Sequence, residues 1–325
     1  MHCAMIAPAR GGKLRPQDGT VSAGCEKNPI RSRRQGEQMK QIEWRAFPYG
    51  DRVYRYTGSS LEAHWPALHG GDREVFPDAR RVADQLERCG PALSHDADPN
   101  TLADLLQSAW RDYHAGDFCA AMTTGHAVGP IGAVVAGRAA IAYAMHLEND
   151  PERVQSLLCD TASHCERLCQ IEPGWANAWY THALALARYS QQISIVKALG
   201  RGLGSKVRQS LMVAIALEPD HAAAHAALGG YHIEVSDKVG RVVARLAHGA
   251  SRAEGLRHFE RAIVLDPDSP SIRMAYANAL AVNRRSRRSV AVERNVTAAA
   301  ACQPRDAIAH LDAERARALL EGVGV

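Results

Sequence analysis

Aromatic residues are scarce in this chain of 325 residues, at 6%, although 46% of it is hydrophobic. Small and aliphatic side chains must therefore build the core, which suits closely packed helices rich in Ala and Leu. Charge of one sign is also in short supply. The formal charge is +4, but residues 1–40 hold eight Lys/Arg against three Asp/Glu, so the rest of the chain is close to neutral. That excludes a global nucleic-acid footprint, and basic recognition has to come from local clusters. The eight cysteines include no CxxC pair, and the segment before Cys25 in VSAGC is too polar for a signal peptide. These absences argue against a disulfide framework and for a reducing, cytoplasmic setting. Long hydrophobic runs are missing too. Ala127 to Leu147 is apolar, but Pro130, Arg138 and His146 interrupt it, so no membrane span is expected.

Three regions follow from composition. Residues 1–40 are rich in Gly, Pro, Arg and Lys without periodicity and read as a disordered leader. Ordered-looking sequence begins just after Met39, which is expected as an alternative start. Residues 41–98 form an arm that concentrates Trp44, Phe47, Tyr49, Tyr54, Tyr56, Trp65 and Phe76. These rings are expected to pack on the first helices rather than to form a docking surface, with a short strand or an extended arm at residues 53–57. Pro77 and Asp78 start one short helix with Val82 and Leu86 on a shared face, ended by Gly90 and Pro91. Residues 99–325 carry the repeats.

The repeats show as helix, proline, helix. Pro173, Pro219, Pro267 and Pro304 each interrupt an Ala-rich periodic run, and a new helix starts within a few residues. Five residues before each proline stand Leu168, Ala214, Ala262 and Ala299; eight before stand Cys165, Leu211, Phe259 and Val296. Six and ten residues after come Trp179 and Ala183, His225 and Gly229, Arg273 and Ala277, then His310 and Glu314. Upstream, Ala109, Tyr113, Gly116-Asp117-Phe118 and Ala121 echo the same spacing.

This pattern resembles the tetratricopeptide repeat family, over about 220 residues, and is similar to bacterial cytoplasmic members of it. The resemblance implies an all-α, right-handed solenoid of about five helix pairs, closed by a capping helix on which His310 and Glu314 face solvent. The proline steps of 46, 48 and 37 residues exceed the family's unit of about 34. The excess falls between the two helices of a pair, at residues 190–205, 236–251 and 283–289.

The inserts carry the sharpest feature. Lys197, Arg201, Lys206 and Arg208 lie in or just after the first, and Lys238, Arg241, Arg245 and Arg252 in or just after the second. Arg284, Arg285, Arg287 and Arg288 lie in the third. Stacked repeats would align them as a basic edge, suited to an acidic protein and less to an anionic membrane surface or RNA. Ile193, Val196 and Leu199, and then Val239, Val242, Val243 and Leu246, follow helical spacing; this stripe is expected to pack inward while the cations stay solvated. The concave groove implied by the resemblance would use Trp110, Asn177, Tyr180, Leu184, Ala226, Met274 and Asn278, a mixed apolar and amide surface fit for a peptide.

Other motifs carry less. His221 and His225 are one helical turn apart, but HAAAH lacks the glutamate of a zinc peptidase, so packing histidines are favoured over a metal pair. Cys165 and Cys169 also share a face, and Cys165 falls at an apolar packing position. GRGLGSK at residues 200–206 lacks the strand and the Gly-Lys-Ser order of a phosphate loop. The expectation is a non-enzymatic scaffold without cofactor that binds a protein or peptide. The alternative is a small-molecule or metal-binding module using these His and Cys pairs or a pocket under the inserts.

Overall fold

Start and stop chemistry places the helices. The computed structural model describes residues 44–50, 54–89, 98–281 and 289–322, and these are helical, with no strand among the described residues. The arm contributes α1 (Ser60–Leu68) and α2 (Ala79–Cys89). Asp98 caps α3 (Pro99–Ala115) by accepting from the Asn100 and Thr101 amides, with Pro99 in the first turn. Gly116, at φ 89°, turns the chain into α4 (Phe118–Ala127), which Asp117 caps. Then come α5 (Ala133–His146) and α6 (Pro151–Ile171), the latter capped by Asp150.

The prolines mark the next joints. After Pro173 runs α7 (Ala176–Gln191), the short α8 (Ile195–Gly200) and α9 (Leu203–Leu217). After Pro219 come α10 (Ala222–Val239), α11 (Arg241–His248) and α12 (Arg252–Leu265). Beyond Pro267 lie α13 (Pro270–Ala281) and α14 (Val290–Ala301), and beyond Pro304, α15 (Ala307–Leu320). The helices pack pairwise as α3/α4, α5/α6, α7/α9, α10/α12 and α13/α14, each pair against its neighbour. The two described inserts are the helices α8 and α11. Small residues set the closest approach. A Cβ on Gly255 of α12 would lie 2.8 Å from the Gly229 carbonyl oxygen of α10, so the two glycines let these helices touch backbone to backbone.

Three expectations change. The arm is more ordered than expected: α1 forms around Pro66, and the described residues 54–57 form no strand. The terminal helix is not a solvent-facing cap. His310 is 3% exposed, its Nδ1 hydrogen-bonds the Tyr54 hydroxyl at 2.9 Å, and its ring lies 4.5 Å from that of Tyr49. Nor is the array open. Ala307 and Leu311 of α15 join one hydrophobic cluster with Leu102, Leu106 and Tyr113 of α3, against which Phe47, Tyr49, Tyr54 and Tyr56 pack. The Gly116 turn is where the parts meet: a Cβ there would stand 2.8 Å from the Phe47 ring and 3.0 Å from the Ala307 methyl. First pair, arm and last helix thus share a core. The physical reason is that each exposed ring of the arm gains about 1.5–3 kcal/mol by full burial, and both ends of the helix array offer an uncovered apolar face.

Candidate functional site

Between these elements lies a half-open cavity of about 560 Å³, lined by inward faces of α3, α5, α7, α10, α13 and α15 and by the loop after α1. Ile141, Met145, Leu184, Ala226, Ile272 and Met274 give its wall apolar surface, beside the charged Arg188, Asp268, Asp312 and Arg315. Its floor is polar. Asp72, 5% exposed, accepts from His69 Nδ1 at 2.9 Å and from the Arg138 guanidinium at 3.0 Å. His69 Nε2 lies 3.3 Å from His114 Nε2, and His114 Nδ1 lies 3.1 Å from Asp306 Oδ2. Asp306 also caps α15 through the Ala309 amide. The line Arg138, Asp72, His69, His114, Asp306 therefore joins α5, the arm, α3 and α15 through one set of polar contacts.

Proton counting sets what its hydrogen bonds require. Two carboxylates and two imidazoles make three contacts, and each needs one N–H proton. Two neutral rings that spend Nδ1–H on the carboxylates would face each other with two Nε2 lone pairs. The His69–His114 contact is a hydrogen bond only when one further proton sits between the two rings. Burial alone would raise the Asp72 carboxyl, but His69 and Arg138 beside it hold it well below the usual carboxylate range. Asp306 behaves likewise: burial opposes, and the hydrogen bond with His114 holds it down. His114 itself is shifted down, chiefly by burial. Burial opposes the charge on Arg138, and the Asp72 carboxylate at 3.0 Å holds it; the guanidinium also lies 5.3 Å from the centre of the Tyr180 ring.

The groove residues read from sequence divide. Tyr180, Leu184, Ala226, Met274 and Asn278 do line the cavity. Trp110 and Asn177 do not. Trp110, 3% exposed, packs edge-on against Trp65 and His69. Asn177, 2% exposed, donates to the Asp72 carbonyl at 2.9 Å while its Oδ1 lies 3.0 Å from His221 Nε2. Both face the arm, which occupies what an open groove would have left to solvent. His69, Asp72, His114 and Asp306 were missed because their partners lie up to 192 residues away. The one local signal was Arg138, a lone charge in an apolar run that needs a buried counter-ion.

The basic edge is partly neutralised. Lys206 pairs with Glu166 at 3.7 Å, Lys238 with Glu234, and Arg201 donates to the Tyr189 hydroxyl at 2.7 Å. Lys197 and Arg245 are exposed. Arg284, Arg285, Arg287 and Arg288 lie outside the described residues, as do the leader and the side chain of Arg241. The inward packing expected of the second insert is overturned. Val242, Val243 and Leu246 are 70%, 51% and 82% exposed, and it is Ala244 that is buried.

The histidine and cysteine pairs are packing groups. His221 Nδ1 caps α10 by accepting from the Ala224 amide, and burial lowers its pKa to about 4. His225 Nδ1 faces His258 Nδ1 at 2.9 Å, and its Nε2 faces the Pro219 carbonyl. Burial pushes the Cys165 thiol up and that of Cys169 up to about 12, so neither is a ready thiolate. No helix among the described residues is long and apolar enough to cross a membrane.

A family model described as "Regulator of microtubule dynamics protein 1-3" matches residues 133–321, more than half of the chain and the whole span from α5 to α15. No curated protein matches the chain. The family match replaces the tetratricopeptide resemblance. Leu168, Ala214, Ala262 and Ala299, which carried that resemblance, are fully buried, and small or apolar residues at helix crossings are what any close helix pair requires.

Proposed function

The chain belongs to the regulator of microtubule dynamics family, and on that premise we propose that it is a non-enzymatic binding protein that takes a peptide segment of a protein partner into its central cavity. The family description names regulation, and binding is the means by which this chain would exercise it, on a microtubule protein or one acting on it. The supporting observation is the shape and chemistry of the cavity. Inner helices from successive pairs converge on a largely apolar wall above a polar floor, and the floor's contacts go to one another, which leaves them to position the walls rather than to react. An apolar side chain entering with its backbone toward Ser271, Asn278 and Gln191 at the rim would find both burial and hydrogen-bond partners.

The test is panning of a random-peptide display library on the wild type and on a cavity-filled variant, Leu184→Trp with Ala275→Trp, checked for helicity. Sequences enriched on the wild type should fail to bind the filled variant. Equal binding to both would reject the cavity as the site. A second reading, a small-molecule site, is favoured by the volume, which lies within the usual range of about 300–1,000 Å³ for such pockets. Native mass spectrometry showing a bound small molecule in the wild type and none in the filled variant would select it.

A further inference from the structure

Among the described residues, the second insert presents the most exposed aliphatic cluster, and it does so on a cationic background. Over α11, Val242, Val243 and Leu246 point outward, and Arg245 between them is exposed. Beside α11 a groove of about 630 Å³ runs along α9, lined by Arg208, Gln209, Met212, Val213 and Ala216 and by His248. Met212 is 46% exposed there. The Arg208 Nε is buried and has no hydrogen-bond partner, an unmet donor on a guanidinium that lines the groove.

The first insert ends at the same place. The Tyr231 hydroxyl donates to the His248 carbonyl at 3.2 Å, and a Cβ on Gly204, at the start of α9, would stand 3.7 Å from the Tyr231 ring. Residues 193–217 and 238–253 contain no Asp or Glu, while Asp237, at the start of the second insert, pairs with Arg252 at 3.0 Å. Cations and aliphatic side chains thus share one edge, away from the central cavity.

We propose that this edge docks on an anionic phospholipid surface, with Val242, Val243 and Leu246 entering the interface and Arg208 and Arg245 meeting lipid phosphates. Charge complementarity selects an anionic occupant. The shape selects a membrane: the aliphatic side chains project from a short convex helix, as on interfacial amphipathic helices that bury one apolar face among headgroups. A nucleic-acid backbone would leave Leu246 and Val242 in water. The pairing of Lys206, Lys238 and Arg252 with acids limits the attraction to a few cations, so docking is salt-sensitive and reversible.

The experiment is flotation of the full chain with vesicles of pure phosphatidylcholine and of phosphatidylcholine mixed with phosphatidylserine. The wild type is compared with Val242→Asp/Leu246→Asp and with Arg245→Glu; all three sites are exposed, so the fold is retained and circular dichroism checks it. The wild type should float with the anionic vesicles only, less so in high salt. The aspartate pair should reduce partitioning by about tenfold or more, and Arg245→Glu by less. Residues 1–40 are basic and offer a rival attachment, so flotation that survives both variants would overturn the proposal. So would a wild type that does not float, or that instead captures polyglutamate through Arg245, which would assign the edge to an acidic protein. Loss of self-association in the aspartate pair, without vesicle binding by the wild type, would assign it to a second copy and overturn the proposal equally.

Discussion

Asp72→Ala is expected to lower the unfolding free energy by about 3–5 kcal/mol, the cost of leaving a buried charge without its partner. Asp72 accepts from His69, from Arg138 and from the Glu74 amide at 3.2 Å. Without it the Arg138 guanidinium keeps its charge among Tyr113 and Tyr180, whose ring centres at 5.9 and 5.3 Å offer cation–π attraction but no counter-charge. The His69 ring loses the carboxylate that orients it, and the line to Asp306 loses one end. Urea unfolding measures the effect. The double variant Asp72→Ala/Arg138→Leu should recover part of the loss, because removing both charges removes the unpaired one. A single-variant cost below about 1 kcal/mol would mean that these contacts are no better than surface pairs.

Glu74→Gln should act in the opposite direction and depend on pH. Burial, then the Asp72 charge nearby, pushes the Glu74 carboxyl up to about 8. Asp72 has His69 and Arg138 to hold its charge, whereas the Glu74 carboxylate oxygens have the Trp175 indole N–H at 3.2 and 3.3 Å, so Glu74 is the member of the pair that keeps its proton. In the unfolded chain Glu74 ionises near 4.5. Between these values the folded state binds more protons than the unfolded one, so this group's contribution is full below about 4.5 and is lost as pH rises through 8. Gln copies the protonated form and still accepts from Trp175. The variant should match the wild type near pH 4 and exceed it by roughly 3–5 kcal/mol above pH 8. Chemical unfolding across that range is the check, and a difference independent of pH would refute the assignment. The acid side is governed by other groups. His182 and His221, held by burial at about 4, remove stability as pH falls from their unfolded value of 6.5 through 4.

The sequence made the local structure legible and hid the closure. Pro173, Pro219, Pro267 and Pro304 marked the joints because proline cannot continue a helix, and the long steps between them located α8 and α11. Val82 was identified as a core residue from periodicity alone and is fully buried. Periodicity found the apolar stripe of α11 but could not say which way it faces, since that depends on whether a neighbouring helix reaches it. The resemblance to a familiar repeat misled in two ways. It named the wrong family, and it predicted an open groove with a solvated last helix where His310 is buried against the arm. His69, Asp72, His114 and Asp306 come together only in the folded chain, from residues with no spacing that could announce them.

The central claim is that arm, first pair and last helix close around the cavity as one unit. Hydrogen exchange followed by mass spectrometry, on the wild type and on His114→Ala, tests it most directly. His114 lies in α3, and its hydrogen-bonding partners are His69 and Asp306. The account predicts that residues 60–75 and 307–320 lose protection together in the variant, while α9, α10 and α12 keep theirs. Loss confined to α3 and α4, with residues 307–320 as protected as before, would contradict it.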